Sequence, residues 1–218
     1  MIRNALIAGA TGLTGGELTR ILIRSDYYNS IHLIGRRAFE LEHPKVKSHI
    51  VDFAELKDFD PGSMIHDVYI CLGTTMKKAG SRENFQKVDL HYVLETARWA
   101  KAKGVEKLAV ISSIGTNPKT SNFYLKTKAE MEDALIQLQL PRLVIMRPSL
   151  LLGKREEFRF AEKLGAASAK AFSFLMFGSL RKYKAVQAEV VARAMFKSLI
   201  NAEDGVTIVE NEAIPGYL

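Results

Sequence analysis

A glycine-rich turn directly behind the first apolar run of the chain constrains the fold most strongly. Residues 4–8 form a short run typical of a buried strand, which leads into Gly9-Ala10-Thr11-Gly12-Leu13-Thr14-Gly15, a G-x-x-G-x-x-G pattern. Glycines permit a sharp turn and the close approach of a ligand to the backbone, and a helix that starts behind them presents free N–H groups to an anion. The pattern therefore predicts a strand–turn–helix unit that binds phosphate.

The rest of the chain alternates short apolar runs with stretches of helical periodicity, which is typical of βαβ units around a parallel sheet. Besides residues 4–8, strands are predicted at 31–35, 47–51, 67–71, 107–111, 142–146 and 206–209. Helices are predicted at 15–25, 83–103, 124–138, 157–171 and 187–201. The 218 residues contain no internal repeat and no linker. We therefore predict one α/β domain over residues 1–218, a Rossmann-like, doubly wound and mostly parallel sheet of about seven strands.

The end of the second predicted strand indicates which dinucleotide the glycine turn would bind. The usual carboxylate for the ribose of NAD is absent there, and Arg36 and Arg37 follow the strand instead. A guanidinium binds phosphate in a bidentate manner and stays charged, so the pair favours NADP(H) over NAD(H). Asp52, behind the third strand, is either a hydrogen-bond acceptor for adenine or an ordinary turn residue.

Tyr124 and Lys128 lie four residues apart at the start of a predicted helix, so their side chains share one face. A neighbouring cation makes a phenol a better acid–base catalyst near neutral pH, which predicts a proton-transfer pair. Ser112 and Ser113 end the fifth predicted strand, at the sheet edge where ligands of such folds bind, and one of them, preferably Ser113, is expected to orient a substrate carbonyl. Leu72 and Gly73 follow the fourth strand at the same edge, where a glycine allows close approach to the cofactor.

The charge balance favours an anionic ligand. The chain has 31 Lys and Arg against 24 Asp and Glu, a net charge of +7, which attracts phosphorylated cofactors, nucleic acid or acidic lipid. No nucleic-acid-binding module is recognisable, so nucleic acid is not expected as a partner. The basic residues behind Gly73, namely Lys77, Lys78 and Arg82, could attract an acidic substrate or a cofactor phosphate, but a solvated loop is the preferred interpretation.

Cysteine and histidine usage gives no indication of a metal site. Cys71 is the only cysteine, so no internal disulfide can form, and it is predicted to be a buried small hydrophobe rather than a nucleophile. The five histidines lack ligand spacing, and no metal is expected. We find no secretory signal and no apolar run long enough to span a bilayer, so a cytoplasmic location without a transmembrane segment is expected.

Taken together, the motifs resemble those of the extended and atypical short-chain dehydrogenases/reductases. They occur in the family's order: GATGLTG at 9–15, GRR at 35–37, CLGTT at 71–75, SS at 112–113, YxxxK at 124–128 and RPS at 147–149. Within that superfamily the chain is most similar to the HIV Tat-interacting-protein oxidoreductase-like group. IGRR, VDF, KAG and the closing ENEAI carry this resemblance, which covers nearly the whole chain.

The resemblance implies an NADP(H)-dependent reduction of a carbonyl or related group. Tyr124 would transfer the proton and Lys128 would bind the nicotinamide ribose, while Leu151 and Arg159 match cofactor-contacting positions. The usual asparagine of the superfamily before the fourth crossover helix is replaced by Asp89. A small region that binds the substrate or a partner is expected at about residues 150–186. Within it, residues 158–180 are apolar enough to line a substrate pocket, to form a partner surface or to pack in the core.

The resemblance also permits a second function class. In that alternative, the protein is an NADPH-sensing regulator with little or no catalysis, and cofactor occupancy controls a protein partner. The expected partner is thus a small-molecule substrate and, in the alternative, also a protein, and the chain is expected to be a monomer or homodimer.

Overall fold

The structure, a computed structural model, describes residues 3–153 and 183–217. Its centre is a sheet of seven strands that all run parallel, in the order β3-β2-β1-β4-β5-β6-β9. The strands are β1 Asn4–Ala8, β2 Ser30–Gly35, β3 Val46–Ile50, β4 Asp67–Ile70, β5 Lys107–Ile111, β6 Arg142–Arg147 and β9 Gly205–Glu210. The order reverses between β1 and β4, which places a topological switch point, and so a ligand crevice, beyond their carboxyl ends.

Helices cover both faces of the sheet. They are α1 Leu13–Arg24, α2 Met76–Ala79, α3 Arg82–Gln86, α4 Tyr92–Ala102, α5 Phe123–Gln137 and α6 Ala188–Ile200, with 3-10 turns at Phe53–Asp58 and Ile214–Tyr217. On one face, Trp99 of α4 and Met131 of α5 belong to the same apolar cluster as Leu6 and Val110 of the strands. On the other face, α1 and α6 pack against the sheet. The five inner strands are buried on both sides because helices cover both faces, whereas the edge strands β3 and β9 are partly exposed.

This architecture confirms the predicted fold class, a Rossmann-like parallel sheet with seven strands. The predicted strand bounds agree with the structure to within one residue. Leu151–Leu152 (β7) and Val186–Gln187 (β8), which were not predicted, pair in a small second sheet. The predicted helix 157–171 and most of the region 150–186 lie outside the described residues.

The predicted helix 83–103 differs from the observed one in a way that bears on the site. The chain is helical from α3 to α4, but Lys87–His91 between them form a π-helical turn. A π turn accommodates an extra residue, and such turns are frequent at functional sites. No helix among the described residues has the length and apolar character needed to cross a membrane.

Candidate functional site

A cavity of about 310 Å³ lies at the topological switch point. Three strand ends line it: Gly9–Gly12 behind β1, Gly35–Arg37 behind β2, and Cys71–Gly73 behind β4. The other lining residues are Leu33, Ile34, Phe39, Ser48, Phe53, Lys78, Val88 and Tyr92. The fold therefore brings Gly9, Thr11, Gly12, Arg36, Arg37, Leu72 and Gly73, all predicted to contact the cofactor, to one cavity.

The glycine turn packs so tightly that side chains would not fit at two of its positions. Gly9 has a φ of +92°, and a Cβ there would lie 2.6 Å from the Cys71 carbonyl oxygen. A Cβ on Gly15 would collide with the Gly9 carbonyl oxygen. The turn thus lies against the backbone that follows β4, and α1 begins directly behind it, with no side-chain cap at Gly12. The free N–H groups of the first helical turn are left to an anion.

Positive charge surrounds the cavity without any carboxylate among its described lining residues. Arg36 and Arg37 are exposed side chains behind β2, and Lys78 lines the same cavity from α2. A solvated loop was the preferred interpretation of Lys78 and attraction of a phosphate the alternative, because nothing in the local pattern shows that α2 packs at the cavity. Asp52 does not line the cavity, and its carboxylate accepts the Ala54 N–H at 2.9 Å, as a turn residue does. Its adenine-binding role stays a prediction.

These residues fit the phosphates of a nicotinamide dinucleotide. Thr14, in the first turn of α1, is 4% exposed, and its hydroxyl has no hydrogen-bond partner within residues 3–153 and 183–217. A buried polar atom without a partner is costly, and a phosphate oxygen would accept its proton. Leu13, its neighbour, is 43% exposed. The loop, the orphaned hydroxyl and the arginines together form a set of donors without a competing negative charge.

Tyr124 and Lys128 lie one turn apart at the start of α5, as predicted. The Asn122 side chain caps this helix by accepting the Leu125 N–H at 3.2 Å. Tyr124 is half-buried, and its ring packs 5.5 Å from that of Phe85. Lys128 is buried, and its ammonium lies 2.8 Å from a carboxylate oxygen of Asp89. The second oxygen of Asp89 accepts the Thr74 N–H at 2.8 Å, which joins the predicted proton-transfer pair to the loop behind β4.

The two serines behind β5 differ in exposure. Ser112 is buried at 4% exposure, and its hydroxyl lies 3.4 Å from that of Thr116. Ser113 is half-exposed, and its hydroxyl donates to the Ile114 carbonyl at 3.3 Å. Of the two serines, only Ser113 therefore exposes a substantial part of its side chain, which is consistent with the expectation that Ser113 orients the substrate carbonyl. Its contact with a substrate stays a prediction.

The remaining predicted residues lie elsewhere. Leu151 is half-buried in β7 and is not among the residues that line the cavity, and Arg159 lies outside the described residues. Burial raises the pKa of the Cys71 thiol to about 12, so at neutral pH the sulphur is protonated and a poor nucleophile. Among the described residues, no group of three or more His, Cys, Asp or Glu side chains is placed to hold a metal ion.

Comparisons with known proteins show the family of the chain. A model of the NAD dependent epimerase/dehydratase family matches residues 5–209. The Protein HTATIP2 of Rattus norvegicus is 36% identical over 217 residues, covering 97% of this chain and 88% of that protein. The mitochondrial Protein FMP52 of Meyerozyma guilliermondii is 34% identical over 208 residues, covering 89% and 85%.

Solved structures share the fold at low sequence identity. MoeE5 in complex with UDP-glucose and NAD superposes with a TM-score of 0.71 at 15% identity, covering 94% of this chain and 75% of that one. The Bordetella bronchiseptica enzyme WbmH in complex with NAD+ gives a TM-score of 0.70 at 15% identity, with coverage of 96% and 76%.

Proposed function

The chain belongs to the NAD dependent epimerase/dehydratase family, and from this premise we propose that it is an oxidoreductase that uses NADP(H) to reduce a carbonyl-type or related small molecule. One observation carries the proposal. The phosphate-binding cavity and the Tyr124–Lys128 pair are connected through Asp89, which contacts both Lys128 and the loop behind Gly73.

The preference for NADP(H) follows from the charges at the cavity. Arg36 and Arg37 follow β2, where a carboxylate would otherwise hold the ribose hydroxyls of NAD. Lys78 adds a third positive charge to the lining. The 2′-phosphate of NADP(H) carries negative charge at neutral pH, and paired guanidinium groups bind such a group more strongly than a neutral ribose.

The aromatic wall of the cavity suits the flat rings of a nucleotide. Phe53 and Tyr92 stack with their ring centroids 5.0 Å apart and an angle of 25° between their planes, and both line the cavity. Apolar rings beside a phosphate-binding turn match the two parts of a nucleotide. The rings bury the apolar faces of the base, and the turn supplies hydrogen-bond donors to the phosphates.

The protein's own groups would handle the proton. A reduced nicotinamide supplies a hydride when it is bound. Tyr124 would give its phenolic proton to the substrate oxygen, and Ser113 would hold that oxygen by a hydrogen bond. Lys128, one turn further along α5, would bind the nicotinamide ribose and favour the phenolate that forms.

Replacement of Tyr124 by Phe tests the catalytic role. NADPH oxidation would be followed with a panel of aldehydes, ketones and quinones, and NADPH affinity would be measured separately. Tyr124→Phe is expected to abolish turnover and to leave the NADPH dissociation constant nearly unchanged. Tyr27→Phe, at the amino-terminal end of β2 and far from the cavity, is the matched control and should retain activity. Turnover by Tyr124→Phe would exclude Tyr124 as the proton donor.

The same assay addresses the alternative of an NADPH-sensing regulator. Tight NADPH binding without oxidation by any substrate, together with a protein captured only in the presence of NADPH, would favour the regulator.

We also propose a cytoplasmic location. The FMP52 relatives are named mitochondrial proteins, so fractionation of cells that express the full chain is the appropriate test.

A further inference from the structure

Arg82 is a basic side chain beside Tyr124 that the cofactor cavity does not use. It is the first residue of α3 and is exposed. Its guanidinium lies 5.0 Å from the centre of the Phe123 ring, within the range of a cation–π contact. Phe123 directly precedes Tyr124 at the start of α5. Lys78 lines the cavity, whereas Arg82 is not among the lining residues. The charge of Arg82 therefore lies near the phenol rather than at the cofactor phosphates.

Three aromatic rings connect the guanidinium to the phenol. The Phe85 ring is fully buried, and its centre lies 5.9 Å from that of Phe123 and 5.5 Å from that of Tyr124. Phe123 and Tyr124 are half-buried, so each keeps part of its surface open to a ligand. The surface beside the phenol is therefore apolar, with one guanidinium at its end.

No carboxylate within residues 3–153 and 183–217 lies at ion-pair distance from Arg82. The carboxylate of Glu83, its neighbour in sequence, is engaged at the start of α3. Hydrogen bonds with its own backbone N–H and with Ser81 lower the pKa of the Glu83 carboxyl, and the charge of Arg82 contributes less. Around Tyr124, residues 112–129 contain three lysines and no acidic residue. Positive charge is therefore in excess near the phenol.

The backbone that carries Arg82 is held in place by the turn between α2 and α3. The Ser81 hydroxyl accepts the Asn84 N–H at 3.1 Å. The Asn84 side chain in turn donates to the Ala79 carbonyl at 3.1 Å. Gly80 ends α2 with a φ of +76°. Because the start of α3 is fixed in this way, less freedom is lost when Arg82 binds a ligand.

We propose that Arg82 binds a carboxylate of the substrate, so that the protein acts on carbonyl compounds that carry a carboxylate on an apolar body. This rests on the proposed function, in which Tyr124 gives the proton. The carbonyl lies at the phenol, the apolar body lies against Phe123, and the carboxylate lies at the guanidinium. A guanidinium binds a carboxylate through two parallel hydrogen bonds. One guanidinium also matches the single charge of a carboxylate, whereas a phosphate monoester carries more.

The experiment compares two ketones that differ in charge, para-acetylbenzoate and para-acetylbenzamide. Their binding is measured by ligand-observed NMR on the full chain saturated with NADP+, which fills the cofactor site and cannot reduce a ketone. The unsubstituted protein should bind the carboxylate about tenfold more tightly than the amide. Arg82→Met removes the charge but keeps a long side chain against Phe123. It should weaken binding of para-acetylbenzoate about tenfold and that of para-acetylbenzamide by less than about twofold.

Arg98→Met is the matched control. It removes an exposed arginine of α4 that pairs with Glu95 and lowers the net charge by the same amount, so it should keep the full preference for the carboxylate. Equal affinity of the unsubstituted protein for the two ketones would overturn the proposal, as would no binding of para-acetylbenzoate. A preference that survives in Arg82→Met, or an equal loss for both ketones, would also overturn it.

Oxidation of NADPH by para-acetylbenzoate, which yields the alcohol and NADP+, measures the proposed function separately. Selective binding of the carboxylate through Arg82 without any oxidation of NADPH would support the role of Arg82 and count against the proposed function. Oxidation with equal kcat/KM for both ketones would support the proposed function and overturn the role of Arg82.

Discussion

Glu132 and Arg147 form a bidentate ion pair that joins the middle of α5 to the end of β6. The Arg147 guanidinium donates to both carboxylate oxygens, at 2.5 Å and 3.1 Å, and the Glu132 side chain is 4% exposed. Arg147 also donates to Glu210 of β9 at 2.8 Å. Glu132 lies four residues beyond Lys128 and eight beyond Tyr124, so the ion pair anchors the helix face that carries these two proposed proton-transfer residues.

Glu132→Gln is expected to destabilise the protein, because it leaves the partly buried Arg147 with one carboxylate fewer. Breaking a buried pair in this way should lower the free energy of unfolding by about 2 kcal/mol, less than for a fully buried pair because Glu210 remains. The thermal midpoint should fall by about 4–8 °C. Glu17→Gln, which breaks an exposed pair with Arg20, should change stability by less than about 0.5 kcal/mol. Equal losses in the two variants would contradict the anchoring role.

The fold was predictable because the five inner strands are buried on both faces and therefore form continuous apolar runs. The edge strand β3, whose residues are half-buried or exposed, was also predicted as a short run, one that ends in Ile50 and Val51. The π turn at Lys87–His91 was not predictable, because an extra residue in one turn hardly changes the apolar spacing of a long helix. Short elements such as α2 and β7 carry too few residues to establish any period.

The site was predictable where one short motif supplies it. The glycine turn, Arg36 and Arg37 lie in the cavity as predicted from local spacing and sheet topology. Phe39, Ser48 and Lys78 line the same cavity but come from a loop, from β3 and from α2, and no local pattern brings them together. The contact of Asp89 with Lys128 spans 39 residues of sequence, and only the packing of α5 on the π turn creates it.

Gly9→Ala should damage both stability and cofactor binding. The residue would have to adopt a φ of +92° and place its Cβ 2.6 Å from the Cys71 carbonyl oxygen. Backbone strain and overpacking together should lower the free energy of unfolding by about 3 kcal/mol, and NADPH should no longer protect against denaturation. Gly62→Ala is the matched control, because Gly62 also has a positive φ of +70° but no atom within 4 Å of the added Cβ. Gly62→Ala should lower the free energy of unfolding by about 1 kcal/mol and should still bind NADPH.

Replacement of both Arg36 and Arg37 by Ser should change the choice of cofactor. Loss of two charge-assisted contacts to the 2′-phosphate should weaken NADPH binding about 100-fold, while NADH binding changes by less than about threefold. Isothermal titration with both cofactors measures the ratio. Arg98→Ser, which removes an exposed arginine on α4, should leave both affinities unchanged. A parallel loss for NADPH and NADH would show that the arginines do not contact the 2′-phosphate.

Stability should decrease in mild acid because of the buried histidine of β2. His32 is fully buried, its Nδ1 lies 3.0 Å from Nε2 of His49, and burial lowers its pKa from 6.5 to about 4. Between these values the unfolded chain binds a proton that the folded protein does not, so the stability present above pH 6.5 is lost as the pH falls toward 4. Between pH 7 and pH 5 the loss from His32 should be on the order of 2 kcal/mol. Urea unfolding of His32→Gln at both pH values should show a smaller difference than the unsubstituted protein, while exposed His91→Gln should keep the full difference. An unchanged acid sensitivity in His32→Gln would assign the effect to other groups.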